Sequence, residues 1–227
     1  ACAWGGGESP SLPGLLDAHE IELAGAAVGA VPRGAEPILG ARLSAGDEIV
    51  FVGSTGLHAN GASLARAVAD RLEHGYATKL ADGTTLGAAL LAPSPIYVPL
   101  VAALLQDGPT PTYISHITGH GLLKLMRPPH ELTYRIERLP PVPPVLELLA
   151  REAGLDAAAA YSTFNMGVGL ALYCAPGDGA ATIATAERLG MSAILAGHVH
   201  EGPRSVVLEP VGVRYEGERL ELTPRRG

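Results

Sequence analysis

Apolar residues fall in short blocks along the chain. Each block is closed by glycine, proline or hydroxyl-bearing residues, a pattern that predicts alternating strands and helices. The small residues at 22–32 predict a buried strand stopped by Pro32. Residues 47–54, DEIVFVGS, predict a strong strand running into TGLHANG and then a helix from Ala62 to about Glu73. On that helix Leu64, Ala67, Val68 and Leu72 share one face, with Asn60 as N-cap and Gly75 past the C-terminus. A second helix is expected over 95–106, opened by Pro95. Strands are expected at 112–118 and 131–139, and PPVPP at 140–144 opens a helix to Ala153 that Gly154 ends. The block 167–175 reads as a buried strand, 178–190 as a helix with Asp178 at its N-cap, and 192–199 as a strand. The stretch 205–222 reads as a hairpin turning at Glu216–Gly217. Alternation of this kind implies a layered α/β (or α+β) domain.

Composition sharpens the expectation of where chemistry would sit. Only 17% of the 227 residues are charged, whereas 29 are glycine and 19 proline, which favours tight turns and sites built from backbone. The net charge is −7 and Lys and Arg form no run, so nucleic acid is not an expected partner. No apolar stretch is long enough to span a bilayer, so no membrane partner is expected either. Cys2 and Cys174 lie far apart in apolar company, as two buried thiols of a reducing cytosol would.

Three strand-to-turn junctions carry polar side chains beside glycines. The first, VGSTGLHANG, offers Ser54, Thr55, Gly56, Asn60 and Gly61 ahead of a helix N-terminus, a setting that suits an anion such as phosphate. It lacks the Gly-Lys-Ser/Thr of a Walker A loop and serves equally as an ordinary strand–helix junction. The second, SHITGHG, offers His116 with Thr118, Gly119 and Gly121; His116 is either a proton-transfer group or a satisfied strand histidine. The third, STFNMGVG, offers Thr163, Asn165 and Gly167, where Asn165 can donate and accept toward a substrate or cap a turn. Glu8, in GGGESPSLPG, is a candidate Mg²⁺ ligand or a loop cap. His198 and His200 stand two apart on one strand face, with no third metal ligand nearby.

Several blocks, in this order, resemble aminoimidazole ribonucleotide synthetase, the phosphoribosylformylglycinamidine cyclo-ligase family: GGGESPSLPG, LAGAAVGAV, GDEIVFVGSTGLHANGASLARAV, LLAPSPIYV, SHITGHGL and STFNMGVGLAL. The resemblance runs to about Leu172, and beyond that the strand–helix–strand pattern agrees. It implies a mixed sheet flanked by helices, with residues 1–32 as the tail of an N-terminal ATP-binding and dimerisation domain and 33–227 as the C-terminal domain. The chain would then be a fragment of a longer cytoplasmic homodimer. The implied reaction uses ATP and Mg²⁺ to close formylglycinamidine ribonucleotide, a small-molecule ribonucleotide, to aminoimidazole ribonucleotide. Under it Ser54, Thr55, Gly56, Asn60 and Gly61 cradle phosphate, and Thr118, Gly119 and Gly121 form the facing cradle. His116 moves a proton, Thr163, Asn165 and Gly167 hold substrate, and Glu8 binds metal. Two departures stand out: His120 interrupts the family's glycine triplet, and Pro95 replaces a usual basic residue. They leave open a related non-catalytic nucleotide-binding module, or a superfamily ATP-dependent enzyme acting on another substrate.

Overall fold

The structure, a computed structural model, describes residues 3, 5–7, 23–31 and 36–220. It divides into two units, Ala1–Pro37 and Ile38–Gly227. In the first, residues 23–31 carry no regular secondary structure and are exposed, Val28 fully so. Residues 23–31 therefore do not form the strand expected over 22–32.

The second unit is a seven-stranded mixed sheet in the order β2–β4–β1–β5–β3–β6–β7. The strands are β1 (Glu48–Gly53), β2 (Tyr113–His116), β3 (Leu132–Ile136), β4 (Val168–Cys174), β5 (Ala193–Glu201), β6 (Ser205–Leu208) and β7 (Val213–Glu216). Only β3 and β6 run parallel among these pairs. Alternation along β1 sends Ile49 and Phe51 into one core and Val50 and Val52 into another, because successive side chains point to opposite faces. β4 is buried at all seven positions, which explains its unbroken apolar sequence.

Helices cover both faces. α1 (Ala62–Ala69), α4 (Pro144–Glu152) and α5 (Ala157–Thr163) bury Val68, Leu149 and Tyr161 against the Ile49–Phe51 side. α3 (Val98–Asp107) and α6 (Gly179–Arg188) pack Leu100, Leu104 and Ala186 onto the Val50–Val52 side. Each fully buried Leu or Phe contributes about 2–3 kcal/mol of transfer free energy. The expected fold, a mixed sheet flanked by helices, is the one observed.

Several boundaries differ from the sequence reading. α1 stops at Ala69 and its N-cap is Gly61; the Asn60 side chain instead donates to the Thr163 carbonyl at 2.8 Å. The 95–106 helix begins only at Val98, with Pro99 rather than Pro95 in its first turn. The final hairpin turns at Glu209–Gly212, where Gly212 takes a left-handed φ of 63°, and not at Glu216–Gly217. Asp178 does stand at the N-cap of α6, but its side chain makes no capping bond; the Glu48 carboxylate accepts from the Gly179 amide at 2.6 Å instead. α5 and the short α2 (Leu86–Leu90) were not anticipated, although Asp156 and Thr85 cap them through side-chain oxygens.

Candidate functional site

Antiparallel pairing gathers the three polar junctions. Gly53 at the end of β1 lies opposite Val168 at the start of β4, and His116 at the end of β2 lies opposite Leu170. Ser54, His116 and Asn165 therefore meet at one end of the sheet, although Ser54 and Asn165 are 111 residues apart.

Asn165 is 1% exposed and its carboxamide is fully engaged by the chain. Its Oδ1 accepts from Ser54 Oγ at 2.7 Å and from the Gly167 amide at 3.0 Å. Its Nδ2 donates to the Gly56 carbonyl at 2.7 Å and reaches the Leu57 carbonyl at 3.3 Å. The Ser54 amide also donates to the Gly167 carbonyl at 2.9 Å. With Asn60 tied to the carbonyl of Thr163, the first and third junctions are zipped together by side chains expected to meet ligand.

Two of the cradle glycines are required by close packing. A Cβ on Gly61 would stand 2.8 Å from the Phe164 ring. One on Gly121 would collide with the carbonyls of Tyr161 and Phe164. A Cβ on Gly119, by contrast, would meet nothing within 4 Å. The second junction therefore has open space at Thr118–Gly119.

Around that space stand three bases. His116 is exposed on β2, its ring edge-on to Tyr97 at 6.0 Å, and the Tyr97 hydroxyl donates to the Gly53 carbonyl at 2.8 Å. Lys124 bonds the Thr118 hydroxyl and reaches the His116 carbonyl at 3.4 Å. His58 accepts the Thr55 amide on Nε2 at 3.0 Å, and the Thr55 hydroxyl donates to the Pro93 carbonyl at 2.8 Å. Burial, and then the neighbouring His116, lowers the His58 pKa. Burial followed by Lys124 lowers that of His116, and burial followed by Arg127 lowers that of Lys124. Burial pushes the Tyr97 phenol up to about 12. Adjacent bases that oppose one another's charging would welcome an anion. Beside them opens a mostly apolar cavity of about 640 Å³, walled by Pro95, Ile96, Tyr97 and α3, with His58 and His116 among its lining.

Backbone strain concentrates in the junction turns. His58, His120 and Met166 have φ of 59°, 72° and 46°, the left-handed region that costs a non-glycine residue about 1 kcal/mol or more. His120, which replaces a glycine of the resembled motif, thus adopts the glycine-like conformation, with its side chain exposed. His58 and Tyr97 lie inside GDEIVFVGSTGLHANGASLARAV and LLAPSPIYV, and Lys124 two residues past SHITGHGL, yet local pattern marks none of the three as a site residue. Glu8 lies outside the described residues. Among the described residues no three His, Cys, Asp or Glu side chains cluster as a metal site would require, and His198 contacts Glu137 at 3.4 Å.

Residues 44–209 match the family described as AIR synthase related protein, C-terminal domain. The chain belongs to that family. Relatives of this AIR synthase related chain include the phosphoribosylformylglycinamidine cyclo-ligases of Anaeromyxobacter sp. (strain Fw109-5) and Agathobacter rectalis. The first is 41% identical over 92% of this chain and 62% of its own length. The second is 36% identical over 91% of this chain and 62% of its own length. The AIR synthase related chain thus spans about three-fifths of the curated relatives it matches. Its fold is similar to that of E. coli HypE, a hydrogenase maturation protein, with a TM-score of 0.53 at 22% identity over 86% of this chain and 55% of that one. A HypE structure in complex with ATP gives a TM-score of 0.50 at 18% identity, over 78% of this chain and 51% of that one.

Proposed function

We propose that this chain is the C-terminal part of an ATP-dependent phosphoribosylformylglycinamidine cyclo-ligase of purine biosynthesis. The observation that carries the reading is 41% identity to such an enzyme over 92% of the chain. The convergence of the three junctions on one sheet end supports it. In this reading residues 1–32 close an N-terminal domain, 33–227 form the C-terminal domain, and the full protein is a cytoplasmic homodimer.

The reaction needs oriented phosphates and a preorganised ring closure more than a protein nucleophile. The amide oxygen of formylglycinamidine ribonucleotide takes the γ-phosphoryl group of ATP. The amidine nitrogen then attacks the activated carbon, the C–O bond breaks, and phosphate leaves with that oxygen. Thr118, Gly119 and Lys124 face the open space and receive phosphate oxygens, with the Thr55–Gly56 turn opposite. His116, whose pKa is lowered by burial, takes the proton from the attacking nitrogen as a neutral base. Ser54, Asn60, Gly61, Gly121, Asn165 and Gly167 shape these turns, since their side chains or missing Cβ atoms meet other parts of the chain, and Thr163 does so through its carbonyl, which accepts from Asn60. The described residues offer no carboxylate cluster for Mg²⁺, so no step is assigned to a metal from this chain.

The test is ATP consumption by the full-length protein with and without formylglycinamidine ribonucleotide. Consumption only with that substrate, with release of the closed imidazole, is expected. Equal consumption without it overturns the cyclo-ligase reading in favour of another superfamily activity, and nucleotide binding without turnover favours a non-catalytic module.

A further inference from the structure

We infer that His58 is a positioning residue that clamps the Thr55 amide in one tautomer and releases that amide on protonation. A backbone N–H can only donate, so Nε2, 3.0 Å from the Thr55 nitrogen, must present its lone pair and the ring proton must sit on Nδ1. Nδ1 is buried without a hydrogen-bond partner. The tautomer is thus set by Thr55 rather than by any partner of Nδ1. His58 also holds a left-handed φ of 59°, which aims its ring back over the turn it follows.

The clamp reaches further through Thr55. Its hydroxyl donates to the Pro93 carbonyl at 2.8 Å, joining the 54–60 turn to the segment whose Ser94, Pro95 and Tyr97 wall the cavity. Protonating His58 removes the Nε2 lone pair, so the Thr55 amide loses its acceptor; the new Nε2–H turns to the Thr55 hydroxyl oxygen 3.1 Å away, which still donates to Pro93, so the amide and not the whole turn is released. His116 on β2 is the titratable neighbour facing His58, with Lys124 and then Arg127 acting on His116 and Lys124 in turn. All are bases, so a proton on His58 is opposed from that side. The bond to the Thr55 amide stays closed at neutral pH and opens in acid. It holds whichever substrate the site takes.

Nitrogen NMR of the full chain should find His58 protonated on Nδ1 at pH 7.5. Corrected for intrinsic rate, hydrogen exchange of the Thr55 amide should rise about tenfold between pH 7.5 and 5. His58→Leu should raise it about tenfold at pH 7.5. His58→Gln, which keeps an acceptor near the Nε2 position, should stay within about threefold of the parent and lose the pH response. An Nε2–H tautomer, or unchanged Thr55 protection in His58→Leu, would overturn the inference. Should His58→Leu fail to fold, the tautomer and the parent's pH response still decide it. None of these readouts depends on catalytic turnover.

Discussion

Ser54 Oγ donates to Asn165 Oδ1 at 2.7 Å, across 111 residues of sequence, and this bond ties the end of β1 to the entrance of β4. Asn165→Ala would strand the Gly56 carbonyl and the Gly167 amide in a buried site. Unsatisfied buried groups cost about 1–3 kcal/mol each, partly relieved by relaxation, so a loss of about 2–4 kcal/mol is expected. The urea midpoint of unfolding reports it; Ser54→Ala, which leaves Asn165 its other partners, should cost about 1 kcal/mol. Equal losses for the two variants would mean that Asn165 is not the centre of the network.

Gly121 and Gly119 differ in what surrounds them. A Cβ on Gly121 meets the Phe164 carbonyl at 2.6 Å on backbone with a φ of 48°, whereas Gly119 has open room. Gly121→Ala should cost about 3 kcal/mol or more, and Gly119→Ala about 1 kcal/mol or less. Thermal unfolding of the two variants tests the contrast. Phosphate-type ligands should be weakened by Gly119→Ala, whose new methyl enters the open space.

Stability should fall in mild acid. Burial and neighbouring bases hold both His58 and His116 below the ordinary 6.5. As the pH drops through about 6.5 the unfolded chain takes up protons first, so stability is lost from there down to the lowered folded values. Above that window neither histidine penalises the fold. The melting temperature followed from pH 7.5 to 5 should show the fall, and the His58→Gln, His116→Ala double variant should show less of it.

His116 is exposed, so His116→Ala should change stability by no more than about 0.5 kcal/mol. In the full-length protein it should lower kcat about 100-fold or more, the usual contribution of a positioned base. Unchanged turnover removes it from the mechanism.

Cys174 is fully buried beside the Thr182 hydroxyl, and its thiol is pushed up to about 11, chiefly by burial. In a Cys2→Ser background the native chain should resist thiol reagents at pH 8 and react rapidly once unfolded in urea. Fast native labelling would mean that the Cys174 core opens locally.

What the sequence determined by itself is local. The apolar block 47–54 becomes β1, 167–175 becomes β4 and the PPVPP start becomes α4, because alternation, proline and glycine act within a few residues of where they stand. Residues 23–31 take no regular structure, because strand propensity is a weak preference that local sequence alone does not enforce. The polar content of the three junctions was legible too, but not its use. Asn165 could be read as able to donate and accept, yet only tertiary structure supplied Ser54, Gly56 and Gly167 as its partners. Gly61 and Gly121 looked like room for phosphate, and folding filled that room with Phe164 and Tyr161. His58 passed as one letter of a glycine-rich turn until a left-handed backbone brought its ring onto the Thr55 amide. A side chain's chemistry is written in its own residue, but its partner is chosen by how strands far apart in the chain pair, and no local pattern records that choice.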